Sequence, residues 1–113
     1  MRTNTSLTHY HKMIVDNQEV WEKKYVDAVM WQGGKGASVS MGLVEGNDVT
    51  IYIPYKNDLP TFNLGDIVVK GKIENDIVSQ YDLRDVADVY NIISVQVRDY
   101  GSENMKHIEL GGK

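Results

Sequence analysis

Residues 64–73 (LGDIVVKGKI) constrain the fold of this chain more than any other segment. Gly65-Asp66 is turn chemistry, and Ile67-Val68-Val69 is the dense β-branched run of a buried strand. A glycine inside a strand pattern marks a bulge or a sharp bend, and Gly71 supplies one where a small sheet would curl into a barrel. The remaining apolar runs are short and similar in kind. They predict an all-β, single-domain barrel of about six strands, with one long glycine-rich loop and at most one short helix.

Residues 7–15 (LTHYHKMIV) alternate loosely and read as a strand, followed by the turn pair Asp16-Asn17. Residues 19–31 (EVWEKKYVDAVMW) fit period two better than a helix. Trp21, Lys23, Tyr25, Asp27, Val29 and Trp31 share one parity, with a bulge expected near Lys23-Lys24. Residues 48–55 (DVTIYIPY) form the cleanest strand. Val49, Ile51 and Ile53 point one way, Thr50 and Tyr52 the other, and Pro54 ends the strand or sits on an edge. The run 67–73 is the glycine-kinked strand. Residues 74–88 allow one or two helical turns, with Asp82-Leu83-Arg84-Asp85 resembling a capping-box start. Residues 90–97, with Ile93, Val95 and Val97 on one face, and 105–110, with Ile108 and Leu110 on one face, predict a C-terminal hairpin. Residues 1–6 read as a loose N-terminal arm and 111–113 as a tail.

The long loop is expected over residues 32–47 (QGGKGASVSMGLVEGN), where five of sixteen residues are glycine. A structureless stretch of that length is uncommon in a compact domain unless it is functional or disordered. It is not a P-loop: Lys35 is followed by Gly36-Ala37, where phosphate binding needs Lys-Ser/Thr opening a helix.

A length of 113 residues suits one core and one domain. A net charge of -4 argues against a nucleic-acid clamp, which carries a basic stripe, though not against a wall that DNA slides past. No cysteine occurs, so disulfides and thiol chemistry are excluded. No apolar run approaches the roughly 20 residues of a membrane span, and no apolar segment follows Arg2 to make a secretion signal.

No catalytic constellation stands out, and the chain reads as no enzyme. His9-x-His11 puts two imidazoles on one face of a strand, and His107 would complete three nitrogen ligands for zinc. Nothing in the sequence places His107 beside the pair, so half-buried strand histidines, with no metal or cofactor, are the expectation. Asp58, Asp66, Glu74, Asp76, Asp82, Asp85 and Asp88 fall mostly in turns and connectors and read as a solvated acidic face. None of Ser38, Ser40, Ser79, Ser94 and Ser102 lies in a nucleophile elbow. The seven tyrosines and two tryptophans could stack on single strands, yet only Lys23-Lys24 and Lys70/Lys72 interleave with them. Core and subunit-interface packing accounts for them better, with Trp21, Tyr25, Trp31 and Tyr55 the candidate interface.

Four stretches carry a family resemblance: residues 3–10 (TNTSLTHY), 29–34 (VMWQGG), 65–71 (GDIVVKG) and 107–113 (HIELGGK). They are similar to small proteins encoded in the structural-gene modules of tailed phages and prophages of Gram-positive bacteria. The strand order also resembles that of head-closure (stopper) and other head–tail joining proteins. In those, a GD-strand-G element precedes a strand of Tyr-x-Ile-x-x-Val type, here Tyr90-Asn91-Ile92-Ile93-Ser94-Val95, and then a closing hairpin.

The resemblance implies assembly rather than chemistry. Copies would form a ring of six or twelve in the virion neck, after synthesis in the host cytoplasm. Its partners would be itself, the portal and adaptor, and tail-completion or tail proteins. Double-stranded DNA would pass without sequence-specific binding, and no membrane is involved. The glycine-rich loop, through Gly33, Gly34, Lys35, Gly36, Ser38, Ser40, Gly42 and Glu45, would face the channel or dock on a neighbour. A tail-completion (terminator-type) ring and a small oligonucleotide-binding module are the alternatives.

Overall fold

The computed structural model of the protein describes residues 3–33, 48–55, 59–98, 101 and 106–113. Six strands, β1 (Thr5–Val15), β2 (Gln18–Gly33), β3 (Val49–Pro54), β4 (Ile67–Lys70), β5 (Val89–Arg98) and β6 (His107–Gly112), carry almost all the regular structure. The one helical element among the described residues is a 3₁₀ turn, Gln80–Leu83. Every pairing is antiparallel, and the order β1-β2-β3-β6-β5-β4 closes on itself as a barrel. Two three-stranded meanders are thus joined along two seams, β1·β4 and β3·β6. The connector through residues 59–66 crosses from one meander to the other.

The interior follows the alternation of side chains along each strand. Val49, Ile51 and Ile53 of β3 are all fully buried, as period two requires. They meet Leu7, Val29, Trp31, Val68, Ile92 and Leu110 in the main core, with Phe62 of the connector packed into the same cluster. The unbroken Ile67-Val68-Val69 run has a different cause. Val68 faces the barrel interior, while Ile67 and Val69 face out and are covered by a second cluster with Tyr10, Ile77 and Leu83. A strand buried on both faces loses its alternation, and residues 72–88 are the cover.

The β1–β2 hairpin turns on Asp16 and Asn17, both with positive φ (51° and 66°). That is the geometry of a two-residue primed turn, which Asp and Asn tolerate.

Several boundaries differ from those read in the sequence. The N-terminal arm is stitched in from Asn4: its N–H donates to Val29 O, and its side chain exchanges hydrogen bonds with the backbone of Trp31. The C-terminal tail is strand. Gly111 and Gly112 are buried in β6, and Lys113 exchanges both backbone hydrogen bonds with Asn91. Gly71 does not kink a strand running to Ile73 but ends β4 at Lys70, with φ +86° and its N–H donating to Ser6 O. The bulge in β2 lies near Asp27-Ala28 rather than Lys23-Lys24, because the register with β1 slips between Thr5 and Leu7. Buried Val26 and Val29 flank it with opposite parity. A second slip at Ile92/Ser94 divides the expected Ile93–Val95–Val97 face. Val95 packs on the core, while Ile93 and Val97 are exposed. The short helix is capped one turn earlier than expected, by Ser79, with Asp82 accepting from the N–H groups of Val78 and Ser79. Of the glycine-rich loop, Gln32 and Gly33 belong to β2 and 34–47 lie outside the described residues.

Candidate functional site

Four residue pairs join β1 to β4, the last being Tyr10 opposite Ile67. Continued by one residue, that register sets His11 opposite Asp66, and the period of two puts His9 on the same face. The three side chains meet there. Asp66 is 1 % exposed, and its carboxylate accepts from His9 Nε2 at 2.8 Å and from His11 Nδ1 at 3.0 Å. The backbone N–H of Lys12 donates to Oδ1 (3.2 Å) and that of Asn63 to Oδ2 (3.1 Å). Asp66 therefore ties β1 to the end of the connector. The β1–β2 register adds Lys24 opposite His9 and Glu22 opposite His11, and these two form an ion pair at 3.1 Å. His9, His11, Glu22, Lys24, Pro60 and Thr61 line a cavity of about 110 Å³.

The protonation states follow from burial and hydrogen bonding. Burial pushes the Asp66 carboxyl upward, but the donors from His11, His9, Lys12 and Asn63 outweigh it and hold it below the usual carboxylate range. Burial also lowers His9, against the pull of Asp66, so its ring is neutral. An ionised carboxylate has no proton to give, so the facing nitrogen of each ring carries the hydrogen. His9 packs against Phe62 with the rings tilted by 50° and their centroids 4.7 Å apart, and its buried Nδ1 has no hydrogen-bond partner among the described residues.

The expected third histidine is elsewhere. His107 lies on β6, three strands from β1 in either direction around the barrel, with its ring 5.8 Å from that of Tyr52. Asp66 takes its place in the cluster, and far from joining a solvated acidic face it is among the most buried polar residues. The candidate interface aromatics also divide. Trp31 is core, 3 % exposed and 5.9 Å from the Tyr90 ring, so it cannot serve an interface. Trp21 packs partly against the outer cluster. Tyr25 and Tyr55 are exposed, the latter beside an apolar groove of about 240 Å³ with Leu59, Phe62, Val95 and Ile108. Of the candidate loop residues, Gly33 ends β2 with φ +94°, while Gly34, Lys35, Gly36, Ser38, Ser40, Gly42 and Glu45 lie outside the described residues.

A family model spans residues 2–113, nearly the whole chain. The chain belongs to the family of unknown function DUF6751. No curated protein and no solved structure matches it. No helix among the described residues is long and apolar enough to cross a membrane.

The DUF6751 chain announced two of the three residues of its cluster in the sequence. His9-x-His11 is visible as a spacing, whereas Asp66 looks like any turn aspartate. The available signal was Gly65-Asp66 directly before the buried run, which places the carboxylate at the mouth of a strand with apolar residues on both faces.

Proposed function

We propose that the protein is a non-catalytic assembly protein whose barrel associates with copies of itself through the β1–β2 hairpin. The observation that carries this reading is how far the hairpin outgrows the barrel. β1 has eleven residues but pairs with β4 only over Leu7–Tyr10, and β2 reaches β3 only from Met30. Residues 11–15 therefore ladder only to 18–22, and among the described residues no strand pairs with the outer edge of β1 beyond Lys12 or with that of β2 over 18–29. Open edges are templates for strand addition. Apolar side chains stand on the same projection: Ile14, Val15 and Val20 are 64 %, 49 % and 40 % exposed. Register puts Val20 opposite Met13 on one face, and Ile14 on the other. Apolar surface on a projecting, edge-open hairpin is what a protein–protein contact uses.

The place of that assembly comes from the resemblance of the quoted motifs to head–tail joining proteins. On this reading the chain forms a head-closure-like ring in the neck of a tailed phage, continuing the DNA channel below the portal and adaptor and docking the tail. An acidic barrel suits a channel wall that repels DNA and keeps it mobile.

Two measurements test the reading. Mass determination in solution should give a ring-sized species that Ile14→Asp with Val20→Asp returns to monomer without loss of β-sheet signal. Cryo-electron microscopy of intact virions should place a symmetric ring between portal and tail. A wild-type chain that is monomeric at high concentration and missing from the neck would sink the proposal.

A further inference from the structure

We propose that His9 Nε2, His11 Nδ1 and a carboxylate oxygen of Asp66 form a binding site for a divalent transition-metal ion of the zinc type at the mouth of the barrel. Their ligand atoms all lie within 4.8 Å of one another. The closest separations, 2.8 and 3.0 Å from Asp66 Oδ2 to the two ring nitrogens, are near the ~3.3 Å that a tetrahedral site with bonds of about 2.0–2.1 Å requires. To admit the ion the two short contacts open by a few tenths of an ångström, and the two ring nitrogens, up to 4.8 Å apart, draw together by a swing of the part-exposed His11 ring. Two imidazoles and one carboxylate select a borderline cation such as Zn²⁺ or Co²⁺, whereas Ca²⁺ and Mg²⁺ seek all-oxygen shells.

The surroundings resemble the support that ligands of a metal need. The Asp66 carboxylate is held by the backbone N–H groups of Lys12 and Asn63, so it stays in place when the two rings turn from donating to it toward a shared ion. To present Nε2 as a lone pair the His9 ring must carry its proton on the buried Nδ1, which has no acceptor among the described residues, a cost the metal bond has to exceed. His11 makes the same exchange in the opposite sense, from Nδ1 to Nε2. Each neutral ring keeps one proton, and the charge of the ion is met by the Asp66 carboxylate. The His11 side chain is 32 % exposed, which gives an entry path and leaves a coordination position toward the cavity that Glu22 lines. Lys24 lines that cavity too, but its ammonium is paired with Glu22.

Such an ion would clamp β1 to the connector at residue 66, beside the seam that only four residue pairs hold. The site stands whether or not the chain forms rings.

The test uses the full-length, untagged protein stripped with EDTA, with Co²⁺ as the optical probe and Zn²⁺ as competitor. One equivalent of Co²⁺ should give ligand-field absorption that Zn²⁺ abolishes. At a hundredfold excess of Zn²⁺ over its Kd, Tm should rise by roughly 10 °C. His11→Gln should weaken binding at least tenfold with an unchanged circular-dichroism spectrum, and His107→Gln should leave it unaltered. Should His11→Gln fail to fold, histidine ring resonances of the wild-type protein decide: Zn²⁺ must perturb His9 and His11. Absent ligand-field absorption, full binding by folded His11→Gln, or perturbation of His107 instead would each overturn the assignment.

Discussion

Gly112 is the residue on which closure of the barrel can be tested most directly. It pairs with Val49 across the β3·β6 seam and with Ile92 on its other side, and its carbonyl accepts from the Asp48 N–H at 2.8 Å. A Cβ at this position would stand 2.7 Å from Val49 Cγ2 and 3.1 Å from Tyr90 Cβ. Carbon atoms pack at about 3.5–4.0 Å, so the Val49 contact alone demands a retreat of about 0.8 Å or more. Neither neighbour has room to give it. Val49 is fully buried on a branched side chain with one rotor, and β6 is laddered on both edges. Overpacking of this kind costs about 1–3 kcal/mol, against roughly 0.5–1 kcal/mol that alanine regains over glycine in a strand. Gly112→Ala should therefore destabilise by about 1–2 kcal/mol. For a domain of this size that lowers Tm by roughly 5–15 °C. Urea unfolding, read as a fall in midpoint at constant slope, is the assay. A double-mutant cycle isolates the cause, because Val49→Ala removes the clashing methyl. Gly112→Ala should then cost less by at least about 0.5 kcal/mol in that background. If Gly112→Ala keeps the wild-type midpoint, or costs the same with and without Val49→Ala, the close approach at the seam is not what requires glycine.

Two further substitutions probe the other strand connections. The buried Thr8 hydroxyl donates to Gly71 O (2.8 Å) and accepts from Ile73 N–H (3.0 Å), so Thr8→Val should cost about 1–3 kcal/mol by orphaning both groups. Hydrogen exchange at Ile73 should quicken with it; unchanged protection would contradict the bridge. Asp16→Val forces a branched side chain into the left-handed region at φ 51° and should destabilise by about 1–2 kcal/mol, measured by thermal unfolding; a rise in Tm would refute the turn geometry.

How much of this was legible in the sequence depended on how many faces each strand buries and where its register slips. β3 sits between two partners with one apolar face, and Val49, Ile51 and Ile53 announced it. β4 reads as uninterrupted apolar sequence because residues 72–88 cover its outer face, a tertiary fact that no local pattern encodes. The face expected through Ile93, Val95 and Val97 failed at a bulge, since one extra residue inverts every side chain after it. Gly111 and Gly112 look like a tail because glycine is the ordinary signal of chain flexibility. Here the signal meant close approach of two neighbouring strands instead. The His9-x-His11 pair was readable, but its partner was not. Asp66 lies 55 residues beyond His11, and only the β1·β4 register brings them together, whereas His107 is carried to the opposite wall.

The same register explains why the hairpin projects. A barrel seam is normally held by its ladder, yet β1·β4 spans only Leu7–Tyr10. What the ladder lacks is supplied at its two ends. At one, the Ser6 carbonyl and the Thr8 hydroxyl of β1 bind Gly71, where the chain leaves β4. At the other, Asp66 gathers Lys12, Asn63 and both histidines. Because side chains anchor the seam, β1 is released from β4 after Tyr10 and runs on with β2 alone. A longer β4 would cover residues 11–15 and close the edge. The short seam and the projecting hairpin are one feature, and the buried carboxylate at residue 66 is where the chain changes from barrel wall to free strand edge.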